Sequence, residues 1–112
     1  MKKINIVKKN TEFNNIIKNG KKFTSDIFFV YIIKNDSHNR FGISVSKKIG
    51  NAVVRNKYRR RIKDIIDKYK FNYDGFDIIF ISRPRLKECN YIYMKENINK
   101  LLNMIGEKNE KK

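Results

Sequence analysis

The chain has 112 residues, 40% of them hydrophobic, and carries 27 Lys plus Arg against 11 Asp plus Glu, a formal net charge of +16. That length gives room for one domain, residues 1–112, with a modest core, and eight Phe and six Tyr argue against wholesale disorder. The single cysteine, Cys89, excludes an internal disulfide and reads as a packing thiol; with only one histidine, His38, neither a familiar zinc spacing nor a Ser/His/Asp or Cys/His arrangement can be built. No apolar run is long enough for a signal peptide or a membrane span, so a cytoplasmic protein without membrane contact is expected.

In chain order, Lys8 to Asn19 reads as a first helix, with Phe13, Ile16 and Ile17 on one face and Gly20 as its natural stop. Asp26 to Lys34 is rich in β-branched and aromatic residues and apolar on both alternating faces, the pattern of a central strand. A turn at Asn35 to Asn39 leads into Arg40 to Ser46, where Phe41, Ile43 and Val45 alternate with small residues; the two strands are expected to pair as an antiparallel hairpin. After Gly50 the period becomes helical to about Tyr69 or Lys70. A loop at Asn72 to Gly75 precedes a buried strand at Phe76 to Ser82, stopped before Pro84. A last helix over about Asn90 to Ile105 places Tyr91, Met94, Ile98, Leu101, Leu102 and Ile105 on one face, and Glu107 to Lys112 is a charged tail expected to fray. The sum is an α+β domain with helices packed on one small sheet.

Charge is concentrated in one region. From Ser37 to Lys63 there is no acid, while Arg40, Lys47, Lys48, Arg55, Lys57, Arg59, Arg60, Arg61 and Lys63 are basic. Codon bias can inflate lysine, but only seven arginines occur and four of them, Arg55, Arg59, Arg60 and Arg61, fall within seven residues. At 100° per residue, Val54, Tyr58, Ile62, Ile65, Ile66 and Tyr69 form a core-facing stripe. Arg55, Asn56, Arg59, Arg60 and Lys63 fall on the neighbouring arc, with Ala52 leaving space for a close approach; Arg61 and Lys57 point elsewhere. A solvated charged face is the usual explanation of such a helix. Here bases crowd the first half and Asp64 and Asp67 lie in the second, the reverse of what the helix dipole favours, and the bases repel one another. A phosphate partner accounts for that cost, because the arginine fork pairs with phosphate oxygens and the N–H groups at Gly50 to Val53 open a second anion site.

The stretch SVSKKIGNAVVRNKYRRRIKD, Ser44 to Asp64, with Ala52, Arg55-Asn56, Arg59-Arg60 and Lys63 at set intervals, closely resembles the signature of the bacterial ribonuclease P protein subunit. The resemblance implies an αβββαβα two-layer sandwich, with a short extra strand near Lys21 to Ser25 and a left-handed crossover at the basic helix. It implies partnership with a catalytic RNA that removes the 5′ leader of precursor tRNA, Mg²⁺ being required by that RNA rather than by the protein; no protein partner is implied. Carried over by position, Arg55, Asn56, Arg59, Arg60 and Lys63 would contact the catalytic RNA, with Lys47, Lys48 and Asn51 at the entrance to the helix. A cleft between the first helix and the sheet would hold the single-stranded leader at Phe13, Ile17 and Tyr31, where bases can stack with little sequence preference; periodicity alone makes Phe13 and Ile17 plain core. Ile17 stands where an aromatic is common, and Tyr58 replaces an aliphatic residue on the core stripe.

Two other classes share parts of this pattern. A structural RNA-binding protein would have the same size and charge, and only the Arg-Asn signature argues against it. A protein-only nuclease would need carboxylates converging on metal ions, for which Asp64, Asp67, Asp74 and Asp77 are available.

Overall fold

The computed structural model describes residues 6, 7 and 9–110, without the side chains of residues 109 and 110. The expected helix start at Lys8 and the last two residues of the expected tail lie outside this set. In order come α1 (Asn10–Asn19), β1 (Lys21–Thr24), β2 (Phe28–Lys34), β3 (Arg40–Ser44), α2 (Ala52–Lys68), β4 (Phe76–Ser82) and α3 (Tyr91–Glu110), with short 3₁₀ turns at Lys47–Ile49 and Pro84–Glu88. The short strand implied by the family resemblance is thus β1.

Gly20 ends α1, although not by adopting a left-handed cap: its φ is −82°. What excludes a side chain is proximity, since a Cβ would lie 2.5 Å from the Ile16 carbonyl oxygen and 2.6 Å from that of Ile32. α3 runs on to Glu110, so the expected frayed tail is helical to that point. Its Glu and Lys residues are good helix formers and continue a helix already anchored by its buried face.

The strand order is β1-β2-β4-β3, antiparallel between β1 and β2 and between β2 and β4, parallel between β3 and β4. The expected β2–β3 hairpin is therefore not formed, because β4 lies between the two. Burial explains the insertion: six of the seven residues of β4 are buried, whereas β2 alternates buried and half-buried positions. A strand apolar on both faces belongs in the middle of a sheet, and that requirement overrides adjacency in the chain. β3 and β4, being parallel neighbours, need a crossover, and α2 supplies it. The outer edge of β3 is covered by the N-terminal segment, where Val7 donates its N–H to Phe41 O at 2.9 Å.

The sheet and the α2/α3 pair form the main sandwich. Phe28, Val30, Ile32, Phe41, Ile78 and Phe80 pack against Ile62, Ile65 and Ile66 of α2 and Met94, Ile98, Leu101, Leu102 and Ile105 of α3. The Phe28 and Phe80 rings meet edge to face at 5.4 Å. The opposite face holds a smaller cluster, Val7, Ile16 and Ile79, beneath α1. α1 has only ten residues, so part of this second face stays open.

Candidate nucleic-acid interface

The first turns of α2 are shaped by polar side chains. Asn51 caps the helix, its Oδ1 accepting from the Val54 N–H at 3.0 Å, and Ser46 does the same for Lys48 at 3.2 Å. Asn51 thus has a structural task at the helix entrance and keeps its amide N–H groups as donors. Ala52 and Val53 are exposed beside it, Val53 to 76%. The first-turn N–H groups of these two residues remain outside the helical ladder, as α-helix geometry requires.

Along the signature arc, Arg55 is half-buried and its Nε donates to Gly50 O at 3.2 Å, while Arg59 Nη1 donates to Asn56 Oδ1 at 2.6 Å. These bonds hold two guanidinium groups on the helix surface and leave their charges uncompensated. Lys47, Lys48, Asn51, Asn56 and Arg60 are exposed, and Lys63 half-exposed. Among the described residues, none of Lys47, Lys48, Arg55, Arg59, Arg60 and Lys63 pairs with a carboxylate within 4.0 Å. The core-facing stripe is as the period requires: Ile62, Ile65 and Ile66 are buried, and Val54, Tyr58 and Tyr69 pack beside them. Tyr58 is absorbed at the edge of the core, with Arg61 Cζ 6.0 Å from its ring, which turns Arg61 away from the signature arc.

Arg40 does not belong to this field. It donates to both oxygens of buried Asp77, at 2.9 and 2.7 Å, and lies 3.5 Å from Glu12. Burial pushes the Asp77 carboxyl upward, but the bonds from Arg40 and from Asn35, the latter at 2.7 Å, prevail and hold it below the usual carboxylate range. The same contacts raise Arg40. Arg40 is therefore a clamp joining α1, β3 and β4.

The second face of the sheet brings together two of the three residues expected in a cleft. Phe13 and Tyr31 are half-buried and pack on the Val7, Ile16 and Ile79 cluster, while Ile17 is half-buried one turn along α1 from Phe13. Phe13 reaches across to β3, where Gly42 makes room for it: a Cβ there would lie 2.6 Å from Phe13 Cζ. Beyond the end of α1 three further residues extend this face. Lys22 Nζ sits 4.3 Å from the Phe29 ring centre and 5.7 Å from that of Tyr31, and Arg83 Cζ lies 4.6 Å from Phe29. Reasoning from the sequence missed all three. The period of β2 puts Phe29 and Tyr31 on one face, but nothing in it says that this face is open.

The four aspartates do not converge. Asp64 pairs with Lys68 at 3.1 Å, Asp77 is held by Arg40 and Asn35, and Asp74 accepts from the Asn39 N–H at 2.6 Å. Among the described residues no three His, Cys, Asp or Glu side chains come together as a metal cage. No described helix is long and apolar enough to cross a membrane.

Comparison with known proteins agrees with this geometry. Residues 1–106 match the family model described as Ribonuclease P. The ribonuclease P protein component of Carboxydothermus hydrogenoformans is 40% identical over 102 residues, covering 88% of each chain. That of Staphylococcus epidermidis is 39% identical over 113 residues, covering 99% of this chain and 98% of the relative. Among solved structures, the Staphylococcus aureus RNase P protein superposes with a TM-score of 0.84 at 36% identity, covering 90% of this chain and 94% of that one. The Thermotoga maritima protein gives 0.73 at 33%, covering 81% and 88%. With the signature on an exposed helix, the same fold and matches along nearly the whole length, the chain belongs to the ribonuclease P protein family, the protein component of an endoribonuclease that processes tRNA.

Proposed function

We propose that the chain acts as a single cytoplasmic RNA-binding domain that docks on the catalytic RNA of ribonuclease P and holds the 5′ leader of precursor tRNA. Docking is assigned to Arg55, Asn56, Arg59, Arg60 and Lys63 of α2, with Lys47, Lys48 and Asn51 at its entrance. The leader is assigned to Phe13, Ile17 and Tyr31 between α1 and the sheet. The observation that carries this is the set of unpaired cations on α2: six bases at the signature and its entrance have no carboxylate partner within 4.0 Å among the described residues. A phosphate backbone supplies the missing charge and releases its own counterions on binding.

Hydrolysis of the phosphodiester belongs in this scheme to the RNA subunit, which brings the Mg²⁺ it requires. The protein contributes affinity for the substrate and screens the repulsion between two polyanions, so its effect should be greatest when Mg²⁺ is scarce. Cleavage of precursor tRNA by the RNA subunit at low Mg²⁺, with and without the protein, tests this. Cleavage should accelerate when the protein is added; equal rates would reject the proposal, and cleavage by the protein alone would reassign the chemistry to it.

A further inference from the structure

The face beside the proposed cleft carries an arrangement that neither the signature nor the fold accounts for. Two cations approach one ring: Lys22 Nζ at 4.3 Å and Arg83 Cζ at 4.6 Å from the centre of Phe29. Each gains from the ring quadrupole, but they repel each other in a chain that already carries +16. Arg83 is fixed there, since its Nη1 donates to Ser25 O at 2.7 Å. Lys22 is exposed and free to swing on its four-carbon stem.

Spacing gives the arrangement a direction. Lys22 stands opposite Tyr31 in the β1–β2 register, and Phe29 stands opposite Ile81 in the β2–β4 register. Two residues along β2 place Phe29 and Tyr31 on the same face about 7 Å apart. That is about twice the 3.4 Å step of stacked bases, so two neighbouring nucleotides can reach both rings only when unstacked, as in a single strand. Lys22 Nζ is within reach of both rings, 4.3 Å from one centre and 5.7 Å from the other, so it can meet the phosphate joining such nucleotides.

We infer that Phe29, flanked by Lys22 and Arg83, is a second base platform for the single-stranded leader, next to the one at Tyr31. One base stacks at each ring, the linking phosphate meets Lys22, and the next phosphate meets Arg83. Lys22 leaves the Phe29 ring when the base arrives, while Arg83 stays anchored to Ser25. All four bases present a π-face, so this platform adds affinity with little base preference. The inference rests on the leader-cleft proposal and extends it by one nucleotide.

The test uses protein assembled with its catalytic RNA and precursor tRNAs whose leaders are shortened one nucleotide at a time, with mature tRNA as the zero point. Phe29→Ala should weaken binding of long leaders about ten- to a hundredfold, leave mature tRNA unaffected, and reach its affinity plateau one nucleotide sooner than wild type. Phe29→Leu, which keeps apolar bulk, should move the plateau in the same way; a packing role would leave it in place. Lys22→Gln should reduce the salt slope by about 0.7 on long leaders only. An unchanged plateau in Phe29→Leu, or an equal loss on mature tRNA, overturns the platform. Tyr31→Ala in the same series separates the two ideas: where the Phe29 variants overturn the platform, a Tyr31→Ala loss that depends on leader length leaves the cleft standing, and one that does not makes both fall.

Discussion

α2 and the open face of the sheet both set cations beside apolar groups, yet they are built in opposite ways. Every donor on α2 comes from one continuous segment, and a helix fixes their relative positions once it forms. The open face draws Phe13 from α1, Lys22 from β1, Phe29 and Tyr31 from β2, Gly42 from β3 and Arg83 from beyond β4. Its geometry exists only when the whole sheet is assembled. A continuous site can be damaged one contact at a time, whereas an assembled one is sensitive to any change in packing that moves its parts.

The largest difference between the regions should appear on replacing Arg55 and Arg60 together with Ala. Each charged hydrogen bond to phosphate contributes about 1.5–3 kcal/mol, so affinity for the RNA subunit should fall a hundredfold or more. The log–log salt slope should flatten by about 0.7–0.9 per lost contact; an unchanged slope would show that these side chains do not touch phosphate. Thermal stability should hold or rise, since like charges are removed from one helix face.

Arg40→Ala makes the reverse case within the same run of bases. It leaves Asp77 buried beside Asn35 alone, and because Arg40 is itself 26% exposed the cost should be about 2–3 kcal/mol. A lowered melting temperature with unchanged RNA affinity of the folded protein is expected; a selective loss of RNA affinity would return Arg40 to the docking field.

On the assembled face, Phe13→Ala and Tyr31→Ala should each weaken precursor tRNA about five- to a hundredfold relative to mature tRNA, measured as the ratio of the two affinities. Equal losses for both RNAs would mean that the rings are only core. Gly42→Ala should act more gently through Phe13, whose ring must move from the 2.6 Å approach of the new Cβ. A loss of about three- to tenfold is expected, and none when Phe13 is already Ala; an additive loss in the double variant would separate Gly42 from the cleft.

The smallest effect concerns the clamp and acidity. Asp77 has its pKa held below 3.8 in the folded protein, so as pH falls the unfolded chain takes up that proton first. The stability contributed by the ionised carboxylate is intact above about pH 4 and is lost as pH drops through the folded value. Asp77→Asn should remove that part of the acid sensitivity in a denaturation series; an unaltered acid limb would place it elsewhere.

What could be read from the chain follows the same division. The core stripe and the signature arc of α2 depend on one period and were legible, and β4 was found at both its boundaries because its apolar run is closed by Pro84. β1 came only from the family resemblance, since KKFT has no pattern of its own. The pairing of β2 does not follow from adjacency in the chain, because the burial of β4 places that strand between β2 and β3. The role of Arg40 was hidden for a related reason: its partner Asp77 lies 37 positions away and is brought beside it by the parallel register of β3 and β4. Lys22, Phe29 and Arg83 form no motif at all until β1, β2 and the end of β4 lie side by side.

The central place of β4 also bears on how the chain can be made. The strand that joins β2 to β3 is the last of the four to be synthesised. Until residues 76–82 leave the ribosome, β2 shows an edge of unpaired backbone N–H and C=O groups and β3 has no strand on that side, while α2 already carries its cluster of positive charge. A basic helix without a sheet behind it, in a cell full of RNA, is open to non-specific capture and aggregation. The long-range pairing that closes the sheet can begin only once the last third of the chain is made, and pairing of that kind is intrinsically slow and exposed to aggregation.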